Sequence, residues 1–179
     1  MVNLWIAETK KDIKNIHKLY KKAFPKCERK PFKLLLNLAK VGKSTHYVIE
    51  DGNNNFLGLM LTLNNEDLIL LDFFAVVPKF RNQKIGSKAL KLFLNIYAKK
   101  RIVLEIEDTS ISNANNIQQR IIRKNFYLKN NMSLMNYKVN LFGCEMEILT
   151  NNTNISFKEY KSILTSTIGD KAEKNVTEL

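Results

Sequence analysis

The apolar positions of the chain change period several times, and each change marks an element. Residues 2–8 (VNLWIAE) read as a short strand. Thr9, followed three positions later by Asp12, is a capping pair that opens a helix. Ile13, Ile16, Leu19, Tyr20 and Phe24 then recur at helical spacing and predict one buried stripe. Pro25 and Pro31 bracket a break, and Phe32, Leu35, Leu36 and Leu38 predict a second helix ending near Gly42. The lysine-rich faces of both helices are expected to point to water.

A meander follows. Residues 45–50 and 55–63 read as strands around an Asp51-Gly52-Asn53 turn, with a second turn at Asn64-Asn65. Residues 67–77 (DLILLDFFAVV) are almost wholly apolar, the pattern of a strand covered on both faces, and Pro78 ends it. Residues 84–97 predict a helix with Ala89, Leu90, Phe93 and Leu94 inward. A strand over 101–107, a helix over 115–130 with Ile117, Ile121, Phe126 and Leu128 apolar, and strands over 132–140 and 143–150 complete the run. Ser156 and Glu159 form a capping box for a last helix to Ile168, and 169–179 reads as a flexible, frayed tail. The prediction is one mixed α/β domain over residues 1–168. Its central, mostly antiparallel twisted sheet has about seven strands, flanked by about four helices and a short C-terminal one.

Composition narrows the class. The 179 residues fit a single domain, and 45% hydrophobic with 26% charged is ordinary for a globular protein. Six Gly, three Pro and two Cys exclude collagen-like, low-complexity and disulfide-scaffold chains. No apolar run reaches about 18 residues, so no membrane partner is expected. The start, MVNLWIAETKK, lacks the pattern of a secretory signal. The expectation is a cytoplasmic chain with Cys27 and Cys144 reduced, Cys144 serving as a small core residue. The sequon Asn131-Met132-Ser133 is then irrelevant. His17 and His46 share no motif, so no metal site is expected. Ser44, Ser87 and Ser110 lack a nucleophile-elbow context.

Lys and Arg number 29 against 17 acidic residues, a net charge of +12. The excess is mostly lysine, 24 of the 29, in a chain also crowded with Asn and Ile, so compositional bias is the plain reading. The distribution is less plain. Residues 1–43 hold 12 basic and 3 acidic residues, and such a patch attracts nucleic acid, a membrane surface or an anionic substrate.

The chemistry concentrates in residues 71–90, LDFFAVVPKFRNQKIGSKAL. A buried strand runs through a short basic loop, with Lys79, Arg81 and Lys84, directly into a helix with Gly86 at its start. A helix N-terminus has unpaired N–H groups and the positive end of the dipole, and a glycine lets backbone approach a ligand. The run Arg81-Asn82-Gln83-Lys84-Ile85-Gly86-Ser87 resembles the pyrophosphate-binding motif of the Gcn5-related N-acetyltransferases (GNAT family). Phe73-Phe74-Ala75-Val76-Val77-Pro78 resembles the strand and exit that precede it. Asn125-Phe126-Tyr127-Leu128-Lys129-Asn130-Asn131-Met132 is similar to the family's Phe-Tyr-x-x-x-Gly-Phe signature. The order of elements over residues 2–150 matches as well. Two departures stand out: Lys84 replaces a loop glycine, its ammonium a potential phosphate ligand, and Asn131 replaces the later one. The stretch from Glu105 to Tyr127 is also longer than in the best-known members.

The resemblance implies transfer of an acetyl group from acetyl-CoA to an amine, on a small molecule or a peptide, by direct attack in a ternary complex. It implies that Phe74, Ala75, Val76, Val77, the loop from Arg81 through Asn82, Gln83, Lys84, Ile85 and Gly86 to Ser87, and Phe126 and Lys129 hold acetyl-CoA. A backbone N–H near Val76 would serve the oxyanion. Tyr127 resembles the family's acid. For the base, Leu104-Glu105-Ile106 resembles the Leu-Glu-Val strand of ribosomal-protein alanine acetyltransferases, in which the Glu is the base. Asp72, a carboxylate interrupting a buried strand, is the second candidate, or else the partner of a lysine. Alternation puts Glu105 and Glu107 on one face and gives Glu145 and Glu147 the same spacing. If the two strands are neighbours, four carboxylates are expected on one shared surface, each raising the others' pKa. The alternative is a non-catalytic module on the same fold whose basic N-terminal helices bind nucleic acid or another polyanion. The family's habit of pairing adds a homodimer to the expected partners.

Overall fold

In the computed structural model, which describes residues 1–26 and 28–179, Thr9 and Asp12 close the first turn of α1 (Lys10–Ala23) reciprocally. Asp12 N–H donates to Thr9 Oγ1 at 3.1 Å, and Thr9 N–H to Asp12 Oδ2 at 3.0 Å. These bonds satisfy two groups that a helix start leaves orphaned. Cys27 lies outside the described residues, and the expectation of a reduced thiol there with it.

The chain forms two compact units. The first comprises Met1–Asn64 and Leu71–Ala98. It holds β1 (Val2–Ile6), α1, α2 (Phe32–Lys40), β2 (Ser44–Asp51), most of β3 (Phe56–Asn65), the larger part of β4 (Leu68–Val76), a 3-10 turn (Pro78–Phe80) and α3 (Ile85–Ile96). β1 pairs antiparallel with β2, β2 antiparallel with β3, and β3 neighbours β4. Ile16, Leu19 and Tyr20 of α1, Leu35 of α2, Val48, Leu59, Leu61, Phe73 and Ala75 form one core. The periodic apolar stripe of α1 is therefore the buried one, while Lys10, Lys11, Lys14, Lys18, Lys21 and Lys22 are exposed. The four residues of β4 from Leu68 to Leu71 are all buried, as the unbroken apolar run predicts. From Asp72 onward burial alternates, so only part of the strand is covered on both faces.

The second unit comprises Asn65–Leu70 and Lys99–Leu179. Here Leu68–Leu70 of β4 pair in parallel with Arg101–Val103 of β5 (Arg101–Glu107). β5 pairs antiparallel with β7 (Cys144–Thr150), and β7 with β6 (Ser133–Leu141). The expected turn at Asn64-Asn65 falls instead at Glu66–Asp67, with Glu66 at φ 49°. α4 is Ile117–Lys129 and α5 is Phe157–Ile168, the latter opened by the Ser156–Glu159 capping box. Arg101 clamps the unit: its Nε lies 2.7 Å from Asp67 and its Nη1 2.6 Å from Glu159.

The expected frayed tail is ordered. Asp170–Asn175 is α6, and Val176–Glu178 is β8, antiparallel to β6. Ala172 and Val176 are fully buried, so these small apolar residues anchor a segment that local composition alone marks as loose. The described residues thus hold eight strands and six α-helices in a mixed α/β, mostly antiparallel arrangement, one strand and one helix beyond expectation. Cys144 is exposed at the β6–β7 hairpin rather than buried in a core. It pairs with Leu141 around the Phe142–Gly143 turn, at the end of the hairpin.

Candidate active site

In the first unit, the chain leaves β4 through Val77, whose N–H donates to Leu57 O of β3 at 2.8 Å. Main-chain groups alternate edges along a strand. Ala75 therefore also faces β3, and Phe74 and Val76 present N–H and C=O to the other edge. The Val76 carbonyl on that edge accepts from Arg81 Nε at 3.2 Å. In the second unit, the parallel pairing of β4 with β5 covers Leu68–Leu70. Sequence reading passed over Gly58, which lets β3 approach: a Cβ there would stand 2.4 Å from Ala75 O. An isolated glycine inside an apolar strand was its available signal.

The loop from Arg81 to Lys84 is exposed and turns twice through the left-handed region, at Asn82 (φ 62°) and Lys84 (φ 59°, ψ 12°). Alternating handedness of this kind turns successive N–H groups into one concavity, an anion nest. Lys84 is the N-cap residue of α3 and occupies the conformation that favours glycine. Its carbonyl accepts the first helical bond from Lys88 N–H at 3.1 Å, so the amides of Ile85, Gly86 and Ser87 precede the helical ladder, and no side chain caps them. Gln83 Nε2 braces the loop on Lys79 O at 3.2 Å. Three uncapped amides, the dipole of a three-turn helix and the charges of Arg81 and Lys84 suit a diphosphate. The lysine in place of glycine leaves the turn intact.

Asp72, also in the first unit, is held by Lys30: Nζ lies 2.6 Å from Oδ1. Lys30 lies 42 positions away and carries no sequence signal of this pairing.

The second unit holds Tyr127 and Glu105. Tyr127 is the buried residue of α4, its ring edge-on to Phe126 with centroids 5.1 Å apart. Burial pushes its phenol up to about 12; the Arg123 charge pulls it down, and the Glu105 charge adds to the rise. A phenol so placed keeps its proton at neutral pH. The helix ends through Asn131 at φ 63°, which frees Met132 N–H to donate to Tyr127 O at 3.2 Å. Asparagine tolerates that conformation well. Ile121, Ile122 and Leu128 of α4 are exposed, as is Lys129.

The four carboxylates do not share a surface. β5 and β7 are neighbours, but Glu105 stands opposite Ile148 and Glu107 opposite Met146, whereas Glu147 stands opposite Ile106. Directly opposed residues share a face, so a register offset by one residue separates the pairs. Cations also neutralise two of them. Glu107 is paired with Arg123 at 2.6 Å and Arg120 at 3.1 Å, and Glu147 with Lys124 at 2.7 Å. Burial works to raise the Glu107 pKa. Hydrogen bonds from Asn116 and Arg123 and the charges of Arg123 and Arg120 outweigh it and hold the carboxyl below its ordinary value.

The sequence profile of the acetyltransferase (GNAT) family matches residues 13–119. The chain belongs to the GNAT acetyltransferase family. Membership brings acetyl-CoA-dependent transfer to an amine acceptor. Solved structures agree in fold. A GNAT-family protein from Bacteroides thetaiotaomicron is 20% identical over 93% of this chain and 98% of its own, with a TM-score of 0.72. The ribosomal-protein-S18-alanine N-acetyltransferase of Escherichia coli is 16% identical over 87% of this chain and 96% of its own (TM-score 0.60). The spermidine/spermine N-acetyltransferase of Vibrio cholerae is 15% identical over 83% and 91% (TM-score 0.60). No curated protein matches the sequence. No helix among the described residues is long and apolar enough to cross a membrane.

Proposed function

We propose that this GNAT chain binds acetyl-CoA through the loop Arg81–Ser87 and the edge of β4 that carries Phe74 and Val76, and acetylates an amine in the cytoplasm. Acetyl-CoA supplies the activated acyl group. The amides of Ile85, Gly86 and Ser87 hold the diphosphate, with Arg81 and Lys84 adding charge. The main chain of Phe74 and Val76 lies along the remainder, and the Val76 N–H donates to the carbonyl oxygen on which charge develops. Tyr127 keeps its proton until the leaving sulfur needs it, and Phe126 and Lys129 flank it in sequence on α4. Glu105 is the first candidate to take the amine's proton, and Asp72 the second.

The observation that carries the reading is the α3 start: a left-handed turn at Lys84 delivering three uncapped amides. Thermal unfolding with and without acetyl-CoA tests it. Ligand at a hundred times Kd stabilises the native state by about 2.7 kcal/mol and raises the unfolding temperature by several degrees. No shift at millimolar acetyl-CoA overturns the proposal. A screen of amines with release of free CoA as readout then identifies the acceptor.

A further inference from the structure

Asp72 interrupts the apolar run of β4, and its side chain is only 3% exposed. A carboxylate removed from water needs a full set of donors. Lys30 Nζ donates to Oδ1 at 2.6 Å, but Oδ2 is buried with no hydrogen-bond partner among the described residues. The same ammonium lies 5.2 Å from the centroid of the Phe73 ring. That ring meets Tyr20 and Phe24 edge-on, with centroids 4.8 and 4.9 Å away. Lys30 belongs to the connection between α1 and α2, where its carbonyl accepts from Tyr20 Oη at 3.0 Å. Its side chain is 17% exposed, so it stands between the carboxylate and water.

A buried carboxylate beside an aromatic face is the chemistry that recognises an organic ammonium. An ion pair kept for stability alone has little reason to exist here, because apolar residues of like volume serve a core as well or better. A half-satisfied carboxylate, by contrast, leaves a place for a further N–H of an ammonium, which carries three. We propose that Asp72 and Phe73 form a binding site for an unbranched primary alkylammonium, filled in the resting chain by Lys30, and that the acceptor displaces Lys30 there. The site stands without the transferase reading; the word acceptor rests on it. In the transfer, the amine nitrogen bonds the acetyl carbon as the carbon–sulfur bond breaks. The amine gives up a proton to the base, and the sulfur takes one up.

The test uses the full chain, n-butylamine as probe and no acetyl-CoA. Lys30→Ala should unfold at lower temperature than wild type. n-Butylammonium chloride should restore it saturably, with at least tenfold tighter binding than to wild type, while tetramethylammonium chloride at equal ionic strength should not. The double variant Lys30→Ala/Asp72→Asn should not respond. If Lys30→Ala does not fold, Lys30→Met keeps the volume without the charge and takes the same titration. In wild type, the 15N resonance of the Lys30 ammonium should move toward that of a solvent-exposed lysine as n-butylamine is added. A folded Lys30 variant that binds no n-butylamine, or an unmoved Lys30 resonance at saturating amine, overturns the proposal. A parallel acetyl-CoA titration keeps the two readings apart. Amine binding without acetyl-CoA binding sinks the transferase reading alone, and the reverse sinks the ammonium site alone.

Discussion

Gly58 and Ala75 approach so closely that a side chain at position 58 would collide with backbone. A Cβ there would lie 2.4 Å from Ala75 O and 3.2 Å from Val76 Cα. Main chain in a paired strand cannot swing aside as the end of a long side chain can. Gly58→Ala should therefore displace the end of β4 and cost roughly 1–3 kcal/mol. Urea unfolding would measure the loss. Titration of the folded fraction with acetyl-CoA should show weaker binding, because the displaced residues carry the edge assigned to it. An alanine variant as stable as wild type would refute the close approach.

Lys84 holds φ 59° and ψ 12°, which costs a residue with a Cβ roughly 1–2 kcal/mol. Lys84→Gly removes that strain, but it frees the unfolded chain by about 0.4–1 kcal/mol. The two nearly offset, so the urea midpoint should stay level or rise slightly. Binding should move the other way. The loop keeps its shape and loses an ammonium, so acetyl-CoA affinity should fall several-fold and depend less on salt. Equal affinity in calorimetry would remove the lysine from the anion site.

Local chemistry was legible in the sequence and long-range register was not. The Thr9–Asp12 and Ser156–Glu159 boxes are written in four residues each, and both form as read. β5 spans the predicted residues because Lys99-Lys100 and Asp108 bound an apolar run. Period-two alternation places Glu105 with Glu107, and Glu145 with Glu147. It cannot say which pair of faces a second strand will present, and a one-residue offset separates them. The same limit hid β8: Val176 is a strand residue only because β6 offers it an edge. It also hid Lys30, joined to Asp72 by folding alone.

Tyr127 has its phenol pushed up to about 12 by burial, with the Arg123 charge opposing and the Glu105 charge assisting. Tyr127→Phe keeps the ring and removes the proton. Turnover should fall by about 10²-fold or more, the range for a general acid, while the KM for acetyl-CoA stays near wild type. The wild-type rate should show no loss from this group at neutral or mildly alkaline pH. Stability has its own window. The unfolded phenol ionises near pH 10 and the folded one near 12, so the contribution is complete below 10 and is lost as pH rises toward 12. Unchanged turnover in the phenylalanine variant would take Tyr127 out of the mechanism.

His46 is buried in β2 with Nε2 lacking a hydrogen-bond partner among the described residues, its ring stacked on Phe32 at 6.4 Å. Burial lowers its pKa to about 4 from the ordinary 6.5. The folded chain therefore holds the ring neutral. Above pH 6.5 both states are neutral and the contribution is whole. As pH falls, the unfolded chain takes up a proton first, and stability drains away until the folded ring also protonates near pH 4. The full span is worth about 3 kcal/mol. His17, stacked on Phe32 at 4.3 Å, has its pKa lowered by burial and by the charges of Lys21 and Arg29, and it acts in the same direction. Comparing wild type with His46→Met isolates the buried ring, because the variant keeps the His17 contribution and the carboxylate titrations. Urea unfolding at pH 7 and pH 4.5 should show a markedly smaller loss in the methionine variant. Equal losses in both proteins would mean that His46 is protonated in the fold and has found a partner there.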